Sequence, residues 1–265
     1  EYWDRLDPHE RLRHILRSLS QWHERWAFCG ASAAVMHGLD CSYRQLHPIH
    51  VAVGRNSRPR NQRYVRFHVL DDAETVAVDG ARVTSILRTL VDCAAMMPRR
   101  YAMAPIDSAL RQGKTTVEQM LEYVDAIPMH RDRERIRAVL TQGDGRVENG
   151  GESECSAVLD ELGFPVHRVQ VEFPCLSHPG RVHRVDFLWE RDDGTLIAGE
   201  LDGVQKYVDP LMTAGWTIRQ VVDDERDRQQ CLSRRGVDMV RMFYRDLDNA
   251  QVLAYRLEQA RVPRR

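Results

Sequence analysis

Residues 185–207, VDFLWERDDGTLIAGELDGVQKY, have few ways to pair with themselves. Two short apolar runs flank Asp192-Asp193-Gly194, and a three-residue hairpin loop needs glycine in its left-handed position. With that loop, Asp186 opposes Glu200 and Phe187 opposes Gly199. One face then carries Val185, Phe187 and Trp189 with Ile197 and Leu201. The other carries Asp186 with Glu200, and Asp202 follows two residues on. A two-residue loop at Asp193-Gly194 would pair Asp186 with Leu201 and mix acidic and apolar groups on both faces. A slip of one residue moves every side chain to the opposite face, so the pattern selects the first register.

Directly opposed like charges destabilise a sheet, so something positive should compensate Asp186 and Glu200. A divalent cation is one solution, because Mg²⁺ takes carboxylate oxygens and often only one or two of them. Lys206 or a nearby arginine could do the same without metal. Spacing alone leaves both open.

The chain has 265 residues, which at about 100–200 residues per domain suggests two domains. The segment TQGDGRVENGGES (141–153) is glycine-rich and nearly free of apolar residues. It reads as the boundary, giving domains at 1–145 and 150–265. The predicted class is α/β (α+β): a mixed helix and small-sheet domain, then a region of order α-β-β-β-α-β-α. In the first region helices are expected at 8–22, 30–39, 85–96, 103–112, 115–126 and 130–141. Strands are expected at 47–54 and 63–70, with Val65, Phe67 and Val69 turned inward, and a hairpin at 74–85 turns at Asp79-Gly80. In the second, a helix at 152–162 ends at Gly163. Strands at 167–173 and 237–244 join the two of the hairpin, a helix covers 219–233, and Asp246 caps a last helix at 247–260.

No run of apolar residues is long enough to span a bilayer, and the charged, amphipathic N-terminus is no signal peptide. These features imply a cytoplasmic chain with no membrane partner. The start lacks Met, consistent with a piece of something longer. A net charge of −1 does not announce a nucleic-acid binder. The six cysteines, 29, 41, 93, 155, 175 and 231, follow no framework spacing and read as reduced, mostly buried thiols. Cys175, His178 and His183 loosely resemble zinc spacing, but no fourth ligand is evident, and a loop with incidental histidines is the simpler reading. His37, His50 and His68 read as structural. No glycine-rich phosphate loop is present.

Arginines cluster at 55–66. Arg55, Arg58, Arg60 and Arg63, interleaved with Tyr64 and Phe67, could contact phosphates; a solvated charged loop is the alternative. Arg226, with Arg228, Arg234 and Arg235, could track a nucleic-acid backbone. RDRERIR (131–137) reads as an ion-paired helix face. Only Lys114 and Lys206 are lysines.

GESECSAVLDELGFP, RVDFLWE, GELDGVQKY and VDMVRMFYRDL together resemble the C-terminal domain of a large actinobacterial family. That domain is similar to the very-short-patch-repair endonuclease and, more broadly, to PD-(D/E)xK nucleases of restriction-endonuclease-like αβββαβ fold. GASAAVMHGL, VDGARVTSILRTLVDCA and DSALRQGKTTVEQM resemble abortive-infection, type IV toxin–antitoxin antitoxin-like regulators. The resemblance implies Glu152, Asp186 and Glu200 as catalytic acids that bind Mg²⁺ or Mn²⁺ for phosphodiester hydrolysis. The family pattern places lysine two residues after the strand acid. Here that position is Asp202, which the resemblance would make an additional metal ligand, with Lys206 in the catalytic lysine's role if it turns back to the site; if it points away, the site binds metal without cutting well. Family members often carry a helix-turn-helix ahead of this region.

Two functions follow. The first is a Mg²⁺-dependent DNA endonuclease working in a defence or toxin–antitoxin setting. The alternative is a non-catalytic, antitoxin-like regulator that binds DNA or a toxin protein and keeps only the nuclease fold.

Overall fold

The computed structural model describes residues 2–57, 60–70, 73–128, 132–202 and 218–265. It divides into two compact units, Glu1–Glu154 and Cys155–Arg265.

The first unit opens with a short helix α1 (Tyr2–Arg5) and then α2 (Pro8–Trp22). Asp7 starts α2 with a reciprocal cap: its carboxylate accepts from Glu10 N at 2.9 Å, and Glu10 accepts from Asp7 N at 2.9 Å. Pro8 fits the first helical turn, where no N–H is required. Leu12 and Leu16 form the buried stripe. Strand β1 (Ala27–Phe28) is only two residues long, and no periodicity in the sequence marks it.

Helix α3 (Gly30–Met36) is buried on every side, which its small residues allow. It ends as expected around Gly38, whose φ is +73°. Leu39 N bonds to Ala34 O and Gly38 N to Val35 O, closing the last turn. Strands β2 (Ile49–Val53), β3 (Val65–Val69), β4 (Thr75–Val78) and β5 (Ala81–Thr84) complete a sheet of order β3-β2-β1-β5-β4. The β4–β5 hairpin turns at Asp79-Gly80, both at positive φ, with Val78 paired to Ala81.

Strand β3 departs from expectation. Val65 is buried, but Val69, at the far end of this edge strand, is 57% exposed. Four helices follow: α4 (Ile86–Met96), α5 (Arg99–Arg111), α6 (Val117–Ala126) and α7 (Arg133–Leu140). Helix α5 starts earlier than its apolar pattern indicates and carries Pro105 inside it. The 133–137 segment is partly the expected ion-paired face, with Arg137 on Asp125 at 2.6 Å. Arg135 pairs with Asp132 at 3.9 Å and also donates to the carbonyls of Ala94 and Ala95 at the end of α4.

The glycine-rich stretch after α7 is packed rather than loose. A Cβ on Gly143 would come within 2.7 Å of Leu110 and 2.8 Å of Ile106. Val147 is buried, Arg111 donates to its carbonyl at 2.8 Å, and buried Asp107 accepts from Asp144 N at 2.8 Å. Helix α8 (Gly150–Glu161) follows directly, and the division between the units falls inside it.

The second unit continues from α8 into β6 (Arg168–Pro174), β7 (Val182–Glu190), β8 (Leu196–Asp202), α9 (Ile218–Arg234), β9 (Val237–Phe243) and α10 (Ala250–Gln259). Gly163 ends α8 at φ +84°. The sheet order is β6-β7-β8-β9, with only β8–β9 parallel and α9 as its crossover. Asn149 and Asn249 begin the flanking helices. Asn249 accepts from Val252 N at 3.2 Å, so it caps α10 in place of Asp246. Asp246 lies three residues before that cap, in a 3-10 turn (Tyr244–Asp248), where it accepts from Phe243 N at 3.1 Å.

The β7–β8 hairpin takes the expected register. Phe187 pairs with Gly199, Leu188 with Ala198 and Trp189 with Ile197. Gly194 has φ +81° and its N–H bonds to Arg191 O at 2.8 Å. Phe187, Trp189 and Ile197 pack with Leu159, Leu253 and Leu257 of α8 and α10. Val185 does not join them. It packs on the opposite side with Leu188, Ala198 and Leu232 of α9. The cause lies next door: Gln170 of β6 takes φ +52°, and the β6–β7 ladder is interrupted at Gln170 and Asp186. The alternation of β7 changes sides there.

Candidate functional site

Strand β8 places Glu200 and Asp202 on the α9 side of the sheet, two residues apart and therefore on one face. Both are nearly buried, at 5% and 8% exposure. Asp186 lies one position beyond the last paired residues of β7, and its Oδ2 accepts from Leu201 N at 2.9 Å. The hairpin register thus puts these three acids on neighbouring positions of β7 and β8.

Among the described residues, arginines supply compensating charge. Arg228, on the sheet-facing side of α9, ion-pairs with Glu200 and donates to Arg184 O at 2.5 Å. Arg241 stands beside Glu200 in the parallel β8–β9 register and reaches Asp202 at 3.7 Å. Guanidinium suits this work because its fixed fork of donors is less strongly hydrated than an ammonium. Arg228 is therefore committed to the interior and is not a free contact for a nucleic-acid backbone.

The donor atoms are the oxygen type that Mg²⁺ prefers, and in this structure the chain's own groups already engage them. Among the described residues, the carboxylates of Asp186, Glu200 and Asp202 do not gather round one point. Their oxygens are engaged by Leu201 N, Arg228 and Arg241. Lys206 and Gln205 lie outside the described residues.

Glu152 belongs to the first unit, in the opening turn of α8. Its Oε2 accepts from Glu148 N at 3.0 Å and its Oε1 from Asn149 Nδ2 at 2.6 Å. Asn149 Oδ1 in turn accepts from Gly151 N and Glu152 N. These bonds satisfy the start of the helix, a structural use that accounts for a carboxylate with 5% exposure.

Two basic surfaces are present, one in each unit. In the first unit, Arg55, Arg60, Arg63 and Arg66 are exposed, and the Arg63 guanidinium sits 5.1 Å from the centre of the exposed Tyr64 ring. Asn61 braces this bend by accepting from Phe67 N at 2.9 Å. Arg58 lies outside the described residues. In the second unit, Arg226, Gln229, Gln230, Ser233 and Arg234 line a shallow depression on α9.

The histidines of the first unit are internal partners. His50 Nδ1 and His68 Nε2 are 2.8 Å apart, and His37 Nε2 is 2.8 Å from Thr84 O. Burial holds both His50 and His37 below the ordinary histidine value. Burial also pushes the Cys41 thiol up to about 12, which removes it as a nucleophile.

Sequence reasoning missed the roles of Arg228 and Arg241. The only available signal was an unbalanced acidic hairpin face, which required positive charge without saying where along the chain it would come from.

Part of the chain is similar to a described family. Residues 26–142 match the family described as the AbiEi antitoxin C-terminal domain. The match covers β1 to the end of α7, so it lies wholly in the first unit. Two uncharacterized proteins, from two strains of Mycobacterium tuberculosis, are each 28% identical over 217 residues, covering 76% of this chain and 76% of their own. No solved structure matches. Among the described residues, no helix is long and apolar enough to cross a membrane.

Proposed function

We propose that this chain is an antitoxin-type regulator of a toxin–antitoxin or abortive-infection system, and that its second unit binds without cutting. The observation that carries this reading is the Arg228–Glu200 ion pair. A guanidinium from the chain itself holds the position where hydrolysis would need a metal ion. The antitoxin match over 26–142 supports the defence setting, and the exposed arginines at 55, 60, 63 and 226 supply phosphate contacts for DNA. A toxin protein is the second expected partner.

The test measures DNA binding and cleavage side by side on plasmid and single-stranded substrates, with Mg²⁺ or Mn²⁺. Binding that weakens with salt, with no cleavage under any metal, is the expected result. Metal-dependent cleavage by the wild type would overturn it.

The second reading, a Mg²⁺- or Mn²⁺-dependent endonuclease, rests on Asp186, Glu200 and Asp202 sharing one region of the β7–β8 hairpin. It requires Arg228 to leave Glu200. On this reading Glu200→Ala and Lys206→Ala abolish cleavage and Arg228→Ala increases it. If all three variants behave like a wild type that does not cleave, this reading is lost.

A further inference from the structure

The loop that joins β6 to β7 carries a second cluster, separate from the acidic strands. It runs from Cys175 to Arg181, and its ends are tied together: Pro174 pairs with Val182, and Cys175 N bonds to Arg181 O at 2.7 Å. Gly180, at φ +89°, supplies the left-handed turn. Within this loop Cys175 Sγ lies 3.8 Å from His178 Nδ1. His183 follows two residues later, on β7.

The fourth member comes from α9. Cys231, 56 residues from Cys175, brings its sulfur to 3.7 Å from Cys175 Sγ. The ligand atoms of Cys175, His183 and Cys231 all lie within 4.8 Å of one another.

From these residues we infer that Cys175, His183 and Cys231, completed by His178 of the same loop, form a structural site for a tetrahedral divalent ion of the Zn²⁺ type, joining the β6–β7 loop to α9. Three observations carry this. First, the spacing fits the coordination sphere. Zn–S bonds of about 2.3 Å at the tetrahedral angle place two sulfurs about 3.8 Å apart, close to the 3.7 Å found here. A disulfide would need sulfurs about 2.0 Å apart.

Second, His183 is 4% exposed and its Nε2 has no hydrogen-bond partner. Buried polar atoms are rarely left in that state, and a metal bond would satisfy it. Third, Leu176 N donates to Cys231 Sγ at 3.1 Å. A backbone N–H aimed at a sulfur stabilises that sulfur as a thiolate, the form a metal needs.

Binding would release the thiol protons; Cys175, His183 and Cys231 supply three ligands, and His178, 3.8 Å from Cys175 Sγ but outside that group, would turn in to fill the fourth position of a structural site. Cys231 and Arg228 are three residues apart on α9 and so share a side of the helix. The metal would therefore help seat the helix that delivers Arg228 to Glu200.

The test uses the full 265-residue chain, purified under reducing conditions without chelator, and requires no assay of DNA binding or cleavage. Elemental analysis should find one zinc per chain. After chelation, Co²⁺ should give the strong ligand-field absorption of a tetrahedral site and a thiolate charge-transfer band. Cys231→Ser and His183→Gln should each lose most of the metal. Cys175→His, which keeps a ligand, should retain Co²⁺ with a weaker thiolate band. The inference fails if the wild type carries no stoichiometric metal and Co²⁺ produces no tetrahedral thiolate spectrum. It fails equally if intact mass shows a Cys175–Cys231 disulfide in the freshly isolated protein.

Discussion

Arg228 of α9 and Glu200 of β8 are 28 positions apart in sequence and meet as an ion pair on the covered face of the sheet, at 21% and 7% side-chain exposure. Removing the cation strands a carboxylate in a place with little water. Arg228→Ala should therefore cost about 3 kcal/mol, near the lower end for broken buried pairs because Arg241 stands close by. The double change Arg228→Met with Glu200→Gln should recover most of that loss. Urea unfolding of both variants against the wild type checks it; a single variant as stable as the wild type would show the pair to be idle.

Asp107 makes the first unit less stable as pH rises. Burial is the largest influence on it and lifts its pKa to about 7, against the opposing hydrogen bond from Asp144 N. Unfolded, it ionises near pH 4. Between those values the folded chain holds a proton that the unfolded chain has lost, so stability falls as pH rises through that window. Asp107→Asn keeps an acceptor for Asp144 N. It should flatten the pH profile and gain roughly 2–4 kcal/mol at pH 8. Thermal melts at pH 5 and pH 8 suffice.

His50 acts in the opposite direction. Burial first, then His68 and Arg66, lower its pKa to about 4. The unfolded chain takes up a proton near pH 6.5, whereas the folded one resists until about pH 4. Its contribution is thus present above pH 6.5 and lost on acidification toward pH 4. Nuclear magnetic resonance titration should find His50 still neutral at pH 5.5, and His50→Gln should lessen the acid sensitivity of the first unit.

Gly199 has no room for a side chain. A Cβ there would lie 2.6 Å from the Trp189 ring and 3.2 Å from Met242. The indole is fully buried and bonded to Phe164 O at 3.3 Å, so it cannot swing aside. Gly199→Ala should destabilise the second unit by about 1–3 kcal/mol, seen as a lower denaturation midpoint with unchanged slope.

If the arginines beside Tyr64 hold phosphates, Arg60→Ala and Arg63→Ala should weaken DNA binding similarly on every sequence. Each should make the dependence of log affinity on log salt shallower by about 0.9. A loss confined to one sequence would identify a base contact instead.

The legible parts of this chain were those governed by local chemistry. Asp192-Asp193-Gly194 dictated a loop length, and loop length dictated the pairing of Phe187 with Gly199. Asp79-Gly80 and Gly163 acted through their backbone angles in the same way. What remained hidden depended on distant partners. The turn of Val185 toward α9 depends on Gln170 of the neighbouring strand. The charge opposite Glu200 arrives from a helix beyond the hairpin, and Glu152, acidic and suitably placed by resemblance, serves the start of its own helix. Cys231 is a further example, since nothing near it in sequence points to Cys175.

The packed glycines of 141–153 bear on how such a chain can be taken apart. A stretch with four glycines invites proteolytic nicking and the exchange of halves between relatives, yet Gly143 sits against Leu110 and Ile106 with no space to spare. A protease should find this stretch resistant, and a recombination break placed there would strip Val147 and the Asp144–Asp107 bond from the first half. Any viable swap of modules must carry residues 141–161 as one inherited piece.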